Sequence, residues 1–409
     1  MLSMNEVRIN IMAHVSSHPI YQTVAPWADE LAAIRRDFHQ HPEEGHETAR
    51  TCGIICDKLR EWGVEEIDTS LCKGSVVAVI TGNRPGSTVA IRGDIDCLPM
   101  PDTCGQPWQS EHVGKAHCCG HDGHATYLLG VARYFQENRD FAGRVVCVFQ
   151  PAEEKASGAS GLMEGGLAEK YDIKEFYGAH GDANFELGTY GFRAGPVQAS
   201  CDSWYLKITG SGGHGARPHL TLDPIPVATQ IVNALQTILT RRVDPLQWAV
   251  LSVCSINAGS YPAMNVIPTE CTVSGTVRTF SPAVQDLIER KMRDMIMHTA
   301  EMNDCKAEFI YRRLVGPVLN DQAITDDAIA SALEVAGEDS VHAMDATMGS
   351  EDFAEYLKKA PGVMIRIGVR DAEHTACIHN SAYDFNDKAT PMAVAMLCNL
   401  ALKRLEKLA

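Results

Sequence analysis

The chain has 409 residues, 45% hydrophobic and 22% charged, with a formal net charge of −16 at pH 7. That length exceeds one ordinary core and predicts two domains. The acidic balance and the lack of a basic run exclude nucleic acid and anionic membrane surfaces as partners, and no apolar run reaches the ~20 residues of a membrane span.

The N-terminus, MLSMNEVRINIMAHVSSHPI, has no cationic start followed by an apolar core, so no secretory signal is expected. The 14 cysteines are scattered, several in apolar segments (Cys147, Cys254, Cys271). They read as buried, reduced thiols of a cytoplasmic protein rather than a disulfide framework.

Residues 1 to about 25 carry no clear pattern and read as an arm. Pro26 to Trp62 reads helical, interrupted around Pro42. Two β-rich runs follow, Ser75 to Thr81 and Ser87 to Arg92, the second leading into IRGDIDCLPM and placing Asp94 and Asp96 just past a strand's carboxyl end. Next comes Lys115 to Gly130, KAHCCGHDGHATYLLG, with Cys119, His121, Asp122 and His124 packed together on a loop between glycines and an apolar helix after it. RVVCVF at Arg144 to Phe149 has the pattern of a strand covered on both faces and ends in Gln150-Pro151-Ala152-Glu153-Glu154. Another strand, Phe176 to Ala179, is expected to end at His180. Polar residues at the ends of successive buried strands are where open α/β sheets place ligands.

The texture changes near Gly195. Strands are expected at Ser203 to Thr209, Ala249 to Asn257, Glu270 to Thr279 and Ala307 to Arg312, with helices at Pro224 to Thr240 and Pro282 to Asn303. That β-α-β-β-α-β order matches a ferredoxin-like unit. The fold class is therefore α/β. A discontinuous domain (residues 1–195 and 314–409), with a mostly parallel central sheet flanked by helices, carries an inserted α+β domain at residues 196–313.

A thiolate and an imidazole two residues apart can reach one metal from one piece of backbone, although a free cysteine beside a helix-capping aspartate would also fit. Adjacent carboxylates such as Glu153 and Glu154 repel, so one needs a cation or a proton nearby. One can ligate a metal while the other acts as general base; a solvated helix start is the plainer reading. His180 and His379 are each uninformative alone. Asp94 and Asp96 suit ligands, orienters of a ligating imidazole, or a turn cap. The turn GSGGHGARPH formally fits a dinucleotide fingerprint at Gly210, Gly212 and Gly215, but opens no helix and lacks the acidic residue further on. Its His214 could reach across to a substrate instead. A cysteine nucleophile at Cys119 would leave Glu153 and Glu154 without a role.

The motifs RRDFHQHPE, IRGDIDCLP, CGHDGHA, FQPAEE, GGHGARPH with DPI, NVIP with GTVRTF, MGSEDF and IHNSAYDF resemble those of metal-dependent amidohydrolases of the aminoacylase and carboxypeptidase superfamily. They are most similar to the hippurate hydrolase, auxin–amino-acid conjugate hydrolase and aminobenzoyl-glutamate hydrolase branch. The resemblance runs from about Trp27 to the C-terminus. It implies metal ligation by Cys119, His121, Glu154, His180 and His379, with Cys119 bridging if two ions bind. Glu153 would be the general base that makes a metal-bound hydroxide, Asp96 would orient a ligating imidazole, and His214 would stabilise the oxyanion. Asn265 and Arg278 lie in motifs that face substrate in relatives. One or two divalent transition ions (Zn, Mn, Co or Ni) are implied, as is a homodimer or higher homo-oligomer through the inserted lid domain. Two departures stand out. His180-Gly181-Asp182-Ala183-Asn184 replaces an apolar stretch with Trp and Pro, turning a bulky wall next to the metal small and polar. Cys118 replaces a usual alanine.

The function expected is hydrolysis of a C–N bond, the amide of a small N-acyl or N-aroyl amino acid. A hydrolytic deaminase releasing ammonia from a small aromatic amine or amino acid is the alternative. A non-catalytic metal-dependent oligomer is the third reading, opposed by the intact Glu153.

Overall fold

The computed structural model describes residues 4–409, with side chains described from Asn10 onward. The chain divides into two compact units. One comprises residues 4–197, 319–345 and 352–409, and the other residues 198–318 and 346–351.

The first unit is built on an eight-stranded mixed sheet. Its strand order is Glu66–Asp68, Val76–Thr81, Ala142–Gln150, Arg84–Asp94, Ile173–Glu186, Gly362–Arg370, Tyr190–Phe192, Val341–Ala343. The four central strands are mutually parallel. Antiparallel pairings flank them on both sides, and the outermost pair is parallel again. The parallel strands are near-continuous apolar runs because helices cover both faces of the sheet. The helices His121–Glu137 and Ala389–Lys407 pack against each other and are buried along most of their length.

The N-terminal segment corrects the expectation of an arm. Helices Met4–Ser17 and Pro19–Val24 bury Ile11, Val15, Ile20 and Val24 against helices Gln322–Ala336 and Ala389–Lys407. Each pair is spaced i, i+4, which is one helical face. Two pairs split by Pro19 are too short a run to stand out as a period. Residues 1–3 lie outside the described residues.

His180 is a second correction. It does not follow a strand but lies inside Ile173–Glu186, opposite Arg366 of Gly362–Arg370. The polar sequence after Ala179 hides seven more strand residues, His180 to Glu186, because the ladder to Gly362–Arg370 satisfies their backbone whatever their side chains.

The second unit is a four-stranded antiparallel sheet, ordered Ala249–Ala258, Glu270–Thr279, Cys201–Thr209, Lys306–Val315. Helices Pro224–Arg241 and Pro282–Met302 bury Ile231, Leu235, Ile288 and Met292 against Trp204, Leu206 and Ile208. Both helices begin where a capping side chain precedes proline. Asp223 accepts from Ile225 N–H and Ser281 from Val284 N–H, while the prolines need no partner at that position. Cys254 is exposed rather than buried as expected: Leu251 and Val253 face the core, so alternation turns the next residue outward, at a β-bulge between Val253 and Ser255. All 14 cysteines are unpaired.

Candidate metal centre

The site is assembled at the carboxyl ends of the central parallel strands, where open α/β sheets leave a crevice. The strand Arg84–Asp94 delivers Asp94 and Asp96, and Ala142–Gln150 leads into the turn bearing Glu153 and Glu154. Gly120, at φ +87°, turns the chain into helix His121–Glu137. The helix therefore starts at His121, earlier than expected, and His121, Asp122 and His124 stand on its first turn. Gly123 is helical; it is glycine because Phe385 occupies the space a side chain would need.

Three overlapping groups of donors form. Cys119, His121 and His180 face one another, as do Cys119, Glu154 and His379, and His121, Glu153 and Glu154. Cys119 Sγ lies 3.4 Å from His180 Nε2, and His379 Nε2 lies 3.4 Å from Glu154 Oε1. His121 Nε2 is 3.5 Å from Asp94 Oδ2 and 4.0 Å from Glu154 Oε1. Both His121 Nε2 and Glu154 Oε1 are buried without a hydrogen-bond partner.

The other ring nitrogens are occupied. His121 Nδ1 lies 2.9 Å from the Asp96 carbonyl and His180 Nδ1 lies 2.7 Å from the Gly181 carbonyl. Backbone acceptors thus fix the Nδ1–H tautomer and leave Nε2 for a metal, the arrangement typical of ligating imidazoles. Burial pushes the Cys119 thiol up and the His180 imidazole down from their ordinary values. Both groups are therefore neutral unless a cation compensates. Burial also works against ionisation of Glu154, but His379 and His121 draw its carboxyl below the usual range. A buried thiol, two imidazoles with free Nε2 atoms and an ionised carboxylate suit a divalent transition ion.

Asp96 braces the glutamate turn. Its Oδ1 accepts from Glu153 N–H at 3.0 Å and its Oδ2 from Glu154 N–H at 3.3 Å. The turn folds back on itself, with Ser157 and Gly158 N–H both donating to the Ala152 carbonyl. A Cβ on Gly158 would overlap the Pro151 carbonyl oxygen. We expect Gly158→Ala to destabilise the protein by about 1–3 kcal/mol through overpacking. In thermal melts it should unfold earlier and hold less metal; wild-type values for both would mean the turn yields without cost.

The residue pattern alone did not separate His124 from His121; only the family resemblance placed His121, and not His124, among the ligands. His124 Nε2 accepts Gly181 N–H at 2.9 Å, and its Nδ1 bonds Asp94 Oδ1 at 2.5 Å, so neither nitrogen is left over. Asp94 is held by Arg92 at 2.6 Å, and Arg92 by Asp352 of the MGSEDF motif at 2.9 Å. This chain ends on the backbone beside His180. Its residues lie in quoted motifs, but their roles depend on pairings up to 260 residues apart. Phe385 fills the space over Gly181, while Asp182 Oδ1 accepts both the backbone and side-chain N–H groups of Asn184.

His214, Asn265 and Arg278 belong to the second unit. His214 is exposed on the two-residue strand Gly213–His214, paired with Val266–Ile267, and the Asn265 carbonyl accepts Gly215 N–H at 2.8 Å. Arg278 Nη1 donates to Ser350 Oγ at 3.1 Å.

Behind the metal loop lies His117, buried with neither ring nitrogen partnered and pushed down by burial to about 3. Unfolded, it would titrate near about 6.5. Between those values the unfolded chain binds a proton the folded chain refuses. Stability therefore falls as pH drops, by about 1.4 kcal/mol per pH unit. His117→Leu should flatten the pH slope of urea-unfolding stability by that amount between about pH 6 and pH 4. An unchanged slope would mean the buried ring is protonated.

Among the described residues, no helix is long and apolar enough to cross a membrane. The sequence matches the family described as Peptidase family M20/M25/M40 over residues 90–403. It is 36% identical to the N-acetyl-L-cysteine deacetylase of Bacillus subtilis (strain 168), across 92% of this chain and 88% of that protein. It is 34% identical to the hippurate hydrolase of Campylobacter jejuni, across 92% of this chain and 97% of that protein. The fold superposes with a TM-score of 0.82 on a dinuclear metal-binding M20 peptidase of Bacillus subtilis, 31% identical, covering 93% and 99% of the two chains. A shared fold, a shared sequence span and a donor set suited to divalent ions converge on one conclusion: the chain belongs to peptidase family M20/M25/M40, as a metal-dependent hydrolase of carbon–nitrogen bonds.

Proposed function

We propose that this enzyme hydrolyses the amide of a small N-acyl or N-aroyl amino acid, with one or two divalent ions held by Cys119, His121, Glu154, His180 and His379. The observation carrying this reading is the buried, unpartnered pair His121 Nε2 and Glu154 Oε1, ringed by the other donors and by Glu153. A bound divalent ion supplies Lewis acidity, polarising the amide carbonyl and lowering the pKa of water. Glu153 takes the proton from the attacking water and returns it to the leaving amine. Asp96 positions Glu153 and Glu154 together through their backbone N–H groups. His214 Nδ1 accepts Ala216 N–H at 3.1 Å, which leaves Nε2 to carry a proton and suits donation to a tetrahedral oxyanion. Asn265 and Arg278 are read as substrate contacts.

The substrate class rests on the relatives. A deacetylase of N-acetyl-L-cysteine and a hippurate hydrolase both cleave an acyl group from an amino acid nitrogen. Exposed Leu246, Trp248, Tyr261 and Met264 support the second unit as a self-association surface.

The test is to strip the protein with chelator, reload it singly with Zn, Mn, Co or Ni, and assay a panel of N-acyl and N-aroyl amino acids for both free amino acid and free ammonia. Activity that vanishes on stripping and returns on loading, with amino acid as product, is expected. Ammonia as the sole nitrogen product would replace this reading with deamination.

A further inference from the structure

A second set of metal-type donors lies outside that centre, linked to the CGHDGH loop through Asp122. His39 Nε2 is 3.2 Å from Asp102 Oδ2 and 3.8 Å from Cys104 Sγ, and the three donor atoms all lie within 4.8 Å of one another. A tetrahedral ion with bonds near 2.3 Å to sulfur and 2.0–2.1 Å to nitrogen or oxygen sets its donors about 3.3–3.6 Å apart. The two separations from His39 Nε2, 3.2 and 3.8 Å, are within a few tenths of an ångström of that.

The surroundings also suit an ion. His39 Nδ1 lies 2.8 Å from Asp122 Oδ2, the carboxylate–histidine pairing that orients a ligating imidazole. His39 is fully buried, Asp102 nearly so, and Cys104 is half-buried, so the thiol marks the side open to solvent. His117 stands with its ring centre 6.4 Å from that of His39, buried and unpartnered at both nitrogens. Cys118 places a second thiol within electrostatic reach of Asp102 and Cys104.

We propose that His39, Asp102 and Cys104 form a second metal site, for a thiol-accepting tetrahedral divalent ion of the zinc kind. Loading releases two protons, from His39 Nε2 and Cys104 Sγ, while Asp102 enters ionised. The ion clamps the 102–104 turn to helix Ala28–Gln40. Thr103 extends the clamp, its N–H donating to the Ser381 carbonyl at 2.7 Å and its hydroxyl to Ser381 Oγ at 2.8 Å. Ser381 lies two residues from His379, so the ion stiffens the segment that brings His379 to the main centre.

The test counts zinc bound by the full-length, phosphine-reduced protein after gel filtration. Cys104→Ser should bind one equivalent fewer than wild type. Cobalt-loaded Cys119→Ser should keep a thiolate-to-cobalt charge-transfer band that Cys119→Ser/Cys104→Ser lacks. In wild type, zinc should slow alkylation of Cys104, read by peptide mass, at least about tenfold, a readout needing no variant. An unchanged count in a folded Cys104→Ser, absence of the band in cobalt-loaded Cys119→Ser, or unprotected Cys104 each overturns the proposal. Failure of the main-centre reading would look different: Cys119→Ser would then lose no equivalent.

Discussion

Glu153→Gln is expected to lower kcat by about 10²–10⁴-fold, the usual worth of a positioned general base, with metal content per chain unchanged. The amide has the carboxylate's shape but cannot accept a proton. The turn that carries it should not move, because Asp96 holds it through the backbone N–H groups of residues 153 and 154 at 3.0 and 3.3 Å. KM should change little, since the lost interaction is made in the transition state rather than on binding. Steady-state kinetics and elemental analysis on the same preparation separate the roles. Loss of metal along with activity would make Glu153 a ligand; retained activity would move the base elsewhere.

The second large effect is on stability. Arg92 is fully buried and holds two buried carboxylates, Asp94 at 2.6 Å and Asp352 at 2.9 Å. Gln150 bridges the same group, its Oε1 accepting Arg92 Nε–H at 2.8 Å and its Nε2 donating to Asp352. Arg92→Met keeps much of the apolar stem but leaves those two charges without the guanidinium they share. Breaking a buried pair in this way costs about 3–5 kcal/mol, which should lower Tm by roughly 10 °C in a unit of this size. The sign with pH is diagnostic. Without Arg92 the folded-state pKa of Asp94 and Asp352 rises, so both carboxyls take up protons as pH falls. The gap to wild type should narrow on acidification. A gap that stays constant with pH would point to lost packing instead. Metal content should fall too, because Asp94 holds the His124 ring whose Nε2 fixes Gly181 beside His180.

The sequence alone determined the donor types and the order of the elements in the second unit. CGHDGHA, the paired glutamates and the β-α-β-β-α-β run are local patterns, legible because donor type and hydrophobic period are written in neighbouring residues. Tertiary structure alone decided which members of those patterns are available. His121 and His124 are alike in sequence, yet Gly181 N–H consumes the Nε2 of one while the Asp96 carbonyl leaves the Nε2 of the other free. The polar stretch after Ala179 reads as a loop but is held extended by ladder hydrogen bonds to a strand some 190 residues away. His39, Asp102 and Cys104 carry no motif together, because the turn bearing two of them meets helix Ala28–Gln40 only in the fold. A hydrogen bond between distant residues leaves no period in the chain, so local reading supplies the donors, and the fold decides which of them remain free to bind.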